Sequence, residues 1–272
     1  MNRTVRSEIR KIRSTQGWWL TGLAILTLTA FALLSHVVIY HFGDLASSDP
    51  ALRSPAALAV MAGTLYTSGQ FLGVLLVMLF AAGLITNEYA HHTITSTFLA
   101  TPRRSQVVMA KLAVAGLLGL AVGLLTSAIG IGAGVAFLHS EGLPSRLGEW
   151  NVAGSVLLGL AAYVVWAVLG VGLGALLRRK TATIVTGALI YLVGSAVLTA
   201  VFELIHQHLI RQDWILTARV IVPSIASQVM TTPGGRVFDQ APSQWVGACV
   251  LIGYGLIAIV TGTFVVRRQD IT

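Results

Sequence analysis

Apolar residues in this chain do not recur at the helical or strand spacing of a half-buried surface; they run on unbroken for twenty positions or more. Six such runs cover 18–40, 65–86, 107–138, 152–177, 182–205 and 245–266. A bilayer core of about 30 Å takes about 20 apolar residues of helix. Backbone groups in lipid must bond within their own segment, and no run alternates as a barrel strand does, so six membrane helices are expected. The second run is the softest, with Thr67, Ser68 and Gln70 near its start. The third is long enough to tilt or to reach into the cytosol. The first follows several arginines and holds Ala30-Phe31-Ala32, which imitates a signal-peptide cleavage site. Its apolar stretch continues to Tyr40, so it reads as an uncleaved anchor.

The segments between the runs differ in character. Within residues 1–17, Val5, Ile9 and Ile12 form one helical stripe, with Arg3, Arg6, Arg10 and Arg13 to one side. That suits a helix lying in the interface with its cations near anionic headgroups; a positive-inside topology signal is the compatible, plainer reading. Segment 87–105 is polar enough to leave the lipid. Ile94, Phe98 and Leu99 line one side of a short helix there, and Thr101 and Pro102 suit the cap and first turn of the next. With Arg103 and Arg104 behind it, such a helix offers a docking surface for a soluble partner. On physics alone a solvated connector is the favoured reading, because basic loop ends are routine. Segment 42–64 reads as an outer loop with at most one short helix. Segment 207–244 holds Trp214-Ile215-Leu216 and Val220-Ile221-Val222, interrupted by Pro223, Pro233-Gly234-Gly235 and Pro242. These stretches are too short to span. They suit helices that dip in and return, or a loop packed on the bundle. Glycine pairs four apart (Gly119 and Gly123, Gly130 and Gly134, Gly170 and Gly174) permit close helix contact, within the bundle or across a dimer.

Composition agrees with this picture. Of 272 residues 55% are apolar and only 10% charged, with a mean hydropathy of +0.80. That leaves too little polar surface for a compact soluble domain. The net charge of +8 divides unevenly across the runs. With the N-terminus inside, 13 basic residues fall on the cytoplasmic side and 5 outside, so both termini are expected in the cytoplasm. The charge is therefore a topology map and no nucleic-acid footprint. The single Cys249 excludes an intrachain disulfide framework. The centres of the runs hold no Asp, Glu, Lys or Arg, which argues against a carrier driven by protons or ions. Gly174 to Thr181 is the nearest approach to a phosphate-binding loop, yet it follows an apolar run and has arginine where the second glycine is needed. His91-His92 and the Glu203, His206, His208 group are weak metal patterns. No catalytic, cofactor-binding or metal-ligating residue is assigned, and any energy for transport enters elsewhere.

One stretch is more specific. Asn87-Glu88-Tyr89 continues through His91, Thr93, Ile94, Phe98 and Leu99 to Thr101-Pro102-Arg103-Arg104, with Ala110-Lys111 ahead of a glycine-rich run. This resembles permease subunits of the ABC-2 exporter family, of the actinobacterial type whose ATPase is a separate chain. Ala90 stands where that family has arginine and His92 where it has glycine, so the turn differs. The resemblance implies one ABC-2 membrane domain over 1–272, all-α, with an interfacial N-terminal helix, six membrane helices and re-entrant outer helices. It makes 87–105 a coupling helix, with Glu88, Tyr89, His91, Thr93, Phe98, Thr101, Pro102, Arg103 and Arg104 meeting the ATPase. It also implies a plasma-membrane permease, itself no enzyme, working as a homodimer or pseudo-dimer with two ABC ATPase subunits. ATP and magnesium belong to those partners, and the cargo is a hydrophobic or amphipathic compound moved outward. A membrane sensor or immunity protein and, further off, a secondary carrier are the alternatives.

Overall fold

The computed structural model describes residues 2–42, 54–91, 93, 104–209, 212, 214–235, 237–238 and 240–267. These residues form helices and no strand. α1 (Asn2–Ser14) turns at Thr15 and Gln16 into α2 (Gly17–Phe42). α3 (Pro55–Tyr66) and α4 (Gln70–Ala90) follow, then the long α5 (Arg104–Ser140) and α6 (Trp150–Leu177). α7 (Lys180–Ala188) passes through a π-helical turn, Leu189–Gly194, into α8 (Ser195–His208). α9 (Trp214–Ala218) tightens into the 3-10 turn Arg219–Ile221 and meets α10 (Pro223–Thr231), while α11 (Gln244–Arg267) ends the described chain. Six helical stretches are long and apolar enough to cross a membrane: Gly17–Phe42, Pro55–Ala90, Gln106–Ser140, Trp150–Leu177, Lys180–His208 and Gln244–Phe264. They are called spans 1 to 6 below. Each coincides with one of the six apolar runs, so the chain is an all-helical, multi-pass membrane protein.

Span 2 departs from expectation at its start. Its helix begins at Pro55, where Ser54 caps the first turn by accepting from Ala57 N at 3.2 Å. The polar residues that soften the run mark a break inside the span. There Thr67 Oγ1 donates to Gly63 O and Ser68 Oγ to Leu65 O, both at 2.8 Å. Tyr163 Oη donates to Gly69 O at 3.3 Å. The interrupted backbone is thus satisfied inside the protein, the condition for irregular chain at membrane depth.

The most extensive contact joins α4 to α6, and small residues make it possible. A Cβ on Gly174 would lie 2.6 Å from Ala82 O, and one on Gly170 would overlap Met78 O. Likewise Gly119 and Gly123 accommodate Tyr163, and Gly130 and Gly134 accommodate Leu65 and Tyr66. All three glycine pairs therefore serve contacts within this chain. Val74, Met78, Ala81 and Ile85 of α4 and Ala162, Trp166 and Val171 of α6 form the centre of the core. Lipid is as apolar as these side chains, so packing rather than hydrophobic force holds helices together.

The described helices of segment 207–244 are ordered by polar contacts. α9 with its 3-10 turn meets α10 at 101°, and nearly every residue of α10 is buried. Gln70 Nε2 donates to Ser227 Oγ (3.0 Å), Thr231 Oγ1 to Gln70 Oε1 (2.7 Å) and Trp166 Nε1 to Ser227 Oγ (3.2 Å). Gln244 Nε2 donates to Ser155 Oγ at 2.8 Å. α10 is consequently wedged among α4, α6 and α11, not laid over them.

Gly170→Ala should force α6 from α4 and destabilise the protein by about 1–3 kcal/mol, the usual cost of overpacking. Gly132→Ala, where a Cβ meets open space, should be neutral. Thermal unfolding of both variants in detergent checks this; equal melting temperatures would refute the tight α4–α6 contact.

Candidate functional site

Where α1, α4 and α5 meet, three charged side chains are buried together and a fourth, Lys11, joins them from the half-exposed side. Glu8 is 3% exposed, Glu88 6% and Lys111 1%. Glu8 Oε1 lies 2.7 Å from Lys11 Nζ and Glu8 Oε2 2.8 Å from Lys111 Nζ. Glu88 Oε1 takes both lysines, Lys11 at 2.6 Å and Lys111 at 2.9 Å. Lys111 also donates to Leu84 O at 2.7 Å. Two acids face two bases, so the cluster carries no net charge, while Lys11 keeps part of its stem in water.

Local sequence explains how each member arrives. Glu8 and Lys11 are three apart on α1 and so share a face, the face that also turns Val5 and Ile12 inward, while Arg6, Arg10 and Arg13 stay exposed. Glu88 sits in the last turn of α4, and Lys111 lies two turns into α5. Burial pushes the Glu8 carboxyl up, but the Lys111 charge and hydrogen bonds from Lys11 and Lys111 outweigh it and hold it below its ordinary 4.5. Burial likewise pulls Lys11 down, and its bonds to Glu8 and Glu88 reverse that, leaving it above 10.5. Opposite charges explain both directions.

The segment expected to face a partner divides accordingly. Glu88 points into the cluster instead of toward solvent. Tyr89 is half-buried against the core. His91, which ends α4 with its N–H on Asn87 O at 3.0 Å, is exposed, as is Thr93, whose N–H reaches Glu88 O at 3.0 Å. Arg104 opens α5. Phe98, Thr101, Pro102 and Arg103 lie outside the described residues. Beside the cluster opens a groove of about 490 Å³, with Glu88, His91 and Lys180 at its charged end and Leu79, Phe80 and Ile184 on its walls. Glu88 Oε2 and Asn87 Oδ1 are buried with no hydrogen bond among the described residues.

Glu8 and Lys11 escape a reading of the sequence that sorts α1 into an apolar stripe and an arginine row. The available signal was Glu8 itself, an acid among the cations, next to Val5 and Ile12 on the inward side. Chemically the cluster is a joint. With every charge matched it has no poised acid or base, yet it fixes the N-terminal helix to the point where spans 2 and 3 meet.

A family model described as "ABC-2 family transporter protein" matches residues 4–195, which includes all four members of the cluster. No curated protein matches the chain.

Lys111→Met should leave two carboxylates against one lysine and cost about 3–5 kcal/mol, the penalty for breaking a buried pair. Glu8→Gln with Lys111→Met, which removes one charge of each sign, should recover part of that loss. Because folding lowers the Glu8 value, its contribution is present above pH 4.5 and disappears as pH falls through the lowered one. Hydrogen exchange in α1 should therefore accelerate in acid, and less so in Glu8→Gln. Acid-insensitive protection of α1 in the wild type would contradict the joint.

Proposed function

The chain belongs to the ABC-2 family of transporter membrane proteins, and on that premise we propose that it is the permease of an exporter driven by a separate ABC ATPase. Two permeases, as a homodimer or pseudo-dimer, pair with two ATPase subunits on the cytoplasmic face of the plasma membrane. Both termini lie on that face, in keeping with the excess of basic residues there. ATP and magnesium are bound by the partner, and this chain supplies the path.

The observation that carries the mechanism is the buried joint at the start of segment 87–105. ATP-driven closure of the ATPases pushes on that segment through its exposed side, which includes His91 and Thr93, and through Arg103 and Arg104. Glu88 acts one step behind the contact: it hands the displacement to α1 through Lys11 and to α5 through Lys111. The joint moves as a unit, since separating Glu8, Glu88 or Lys111 strands a buried charge in a medium that solvates it poorly. Spans 2 and 3 then tilt and a cavity between permeases opens outward. Span 5 and the outer segment form its lid, with the bent α9–α10 pair as a re-entrant hairpin. Spans without charge at their centres suit a hydrophobic or amphipathic cargo, because a charged one needs partners in lipid.

Copurification with an ABC ATPase should give a complex that hydrolyses ATP, while the isolated chain should not. Replacing Arg103 and Arg104 with Ala should remove most transport, with insertion and the ATPase fold unchanged. Vigorous hydrolysis by the chain alone, or transport driven by a proton gradient without a partner, would sink the proposal.

A further inference from the structure

A second groove, about 710 Å³, runs along the other flank of span 1 between α2 and α5, with α1 across its mouth. Its walls are apolar, from Val114 to Leu125 on α5 and past Ile25 on α2. Along α5 that stretch rises about 16 Å at 1.5 Å per residue, close to half of a bilayer core of about 30 Å. The groove is therefore one leaflet deep. Midway up, the space beside Gly22 is open: a Cβ built there meets nothing within 4 Å.

Charge is confined to one end. Arg13 stands at the mouth beside Trp18, the first aromatic of span 1. Arg10 and Arg6 continue the same exposed row along α1. The acid that might offset them, Glu8, faces the opposite way and is consumed by Lys11 and Lys111. Arg6, Arg10 and Arg13 have no ion pair among the described residues. The result is an unopposed cationic rim over an apolar slot as deep as one leaflet.

We infer that this groove is a binding site for one anionic phospholipid, its acyl chain between spans 1 and 3 and its phosphate on Arg13 and Arg10. A guanidinium offers phosphate two parallel N–H donors, which a zwitterionic head carrying its own ammonium satisfies less completely. Trp18 suits the glycerol level, where amphipathic rings settle. The bound lipid fills the space that leaves span 1 so lightly packed, and it props α1 against the charge cluster. The site requires only that the chain spans a membrane, not that it exports.

Native mass spectrometry of the full-length protein, equilibrated with phosphatidylglycerol and phosphatidylcholine in equal amounts, tests the inference. The wild type should retain one phosphatidylglycerol with roughly tenfold preference or more, since each arginine near an anionic surface is worth about fivefold. Arg10→Gln with Arg13→Gln, both on the exposed row, should bring the preference near parity with the fold unchanged. Gly22→Trp should expel the bound lipid altogether; circular dichroism verifies its helix content. Equal retention of the two lipids by the wild type, or a preference that survives the arginine variant, would overturn the site. So would displacement of the lipid by millimolar inorganic phosphate, which would reveal a plain anion site.

Discussion

Three buried charges, Glu8, Glu88 and Lys111, stay out of water at the foot of this bundle only in company with the half-exposed Lys11. Glu8, Lys11, Glu88 and Lys111 come from three helices that no covalent constraint brings together, and each short contact depends on the other three groups being in place. The desolvation that makes such a cluster weak evidence for stability also makes it intolerant of partial disassembly. That intolerance gives an amphipathic helix of thirteen residues, too short to be stable alone in water, a fixed position. It also ties the end of α4 and the first turns of α5 to a third helix.

The outer end is organised differently. Gln70, Ser227, Thr231 and Trp166 are neutral, and their hydrogen bonds close on one another with little left over. Neutral pairs exchange partners at lower cost than buried ions do. A helix such as α10 is therefore seated by contacts that are cheap to exchange, whereas those at the foot of the bundle are costly to break. Between the two ends the α4–α6 contact depends on glycines that admit backbone against backbone, so large side chains do not separate these two helices.

Much of this was legible in the sequence. Six helices followed from apolar run length alone, because lipid permits no other use for such runs, and the glycine pairs announced close contacts by their spacing. Thr67, Ser68 and Gln70 showed that span 2 had a weak point, but not that the helix resumes outward to Pro55, since hydropathy does not distinguish a broken span from a short one. The short apolar stretches and prolines of segment 207–244 signalled short, interrupted helices. The right angle at Pro223 and the burial of Ser227 and Thr231 needed their partners Gln70 and Trp166, over sixty positions away, to be seen. The charge cluster was least legible. Lys11 and Lys111 count as topology signals and Glu88 as part of a loop motif, and nothing local reports that 8, 11, 88 and 111 converge.

The helices are also unequal in how they are held. In span 2, 61% of its most apolar window is buried inside the protein, against 11% in spans 1 and 5. In water such exposure would be destabilising; in lipid it is neutral, so the few polar contacts decide where these two spans sit. Span 5 is attached at its middle, where the π-helical turn brings Tyr191 inward to donate to Phe71 O at 2.6 Å, and at its outer end by Glu203 with Arg219. Span 1 is attached at its foot, through α1 and the charge cluster, and at its middle, where Thr29 packs on Gly69. At its far end Tyr40 and His41 meet Phe137 edge-on and His41 lies 3.7 Å from Glu141. Grooves flank its lower half and share Ile12, Thr21 and Phe80. A push delivered at the end of α4 thus reaches span 1 almost directly, through Glu88 and Lys11. It reaches span 5 through the body of α4, where Phe71 O accepts from Tyr191 and where Met78 and Leu79 pack against Gly187. The two lightly packed helices thus join α4 by different means, the nearer through ions and the farther through a phenol and close apolar packing.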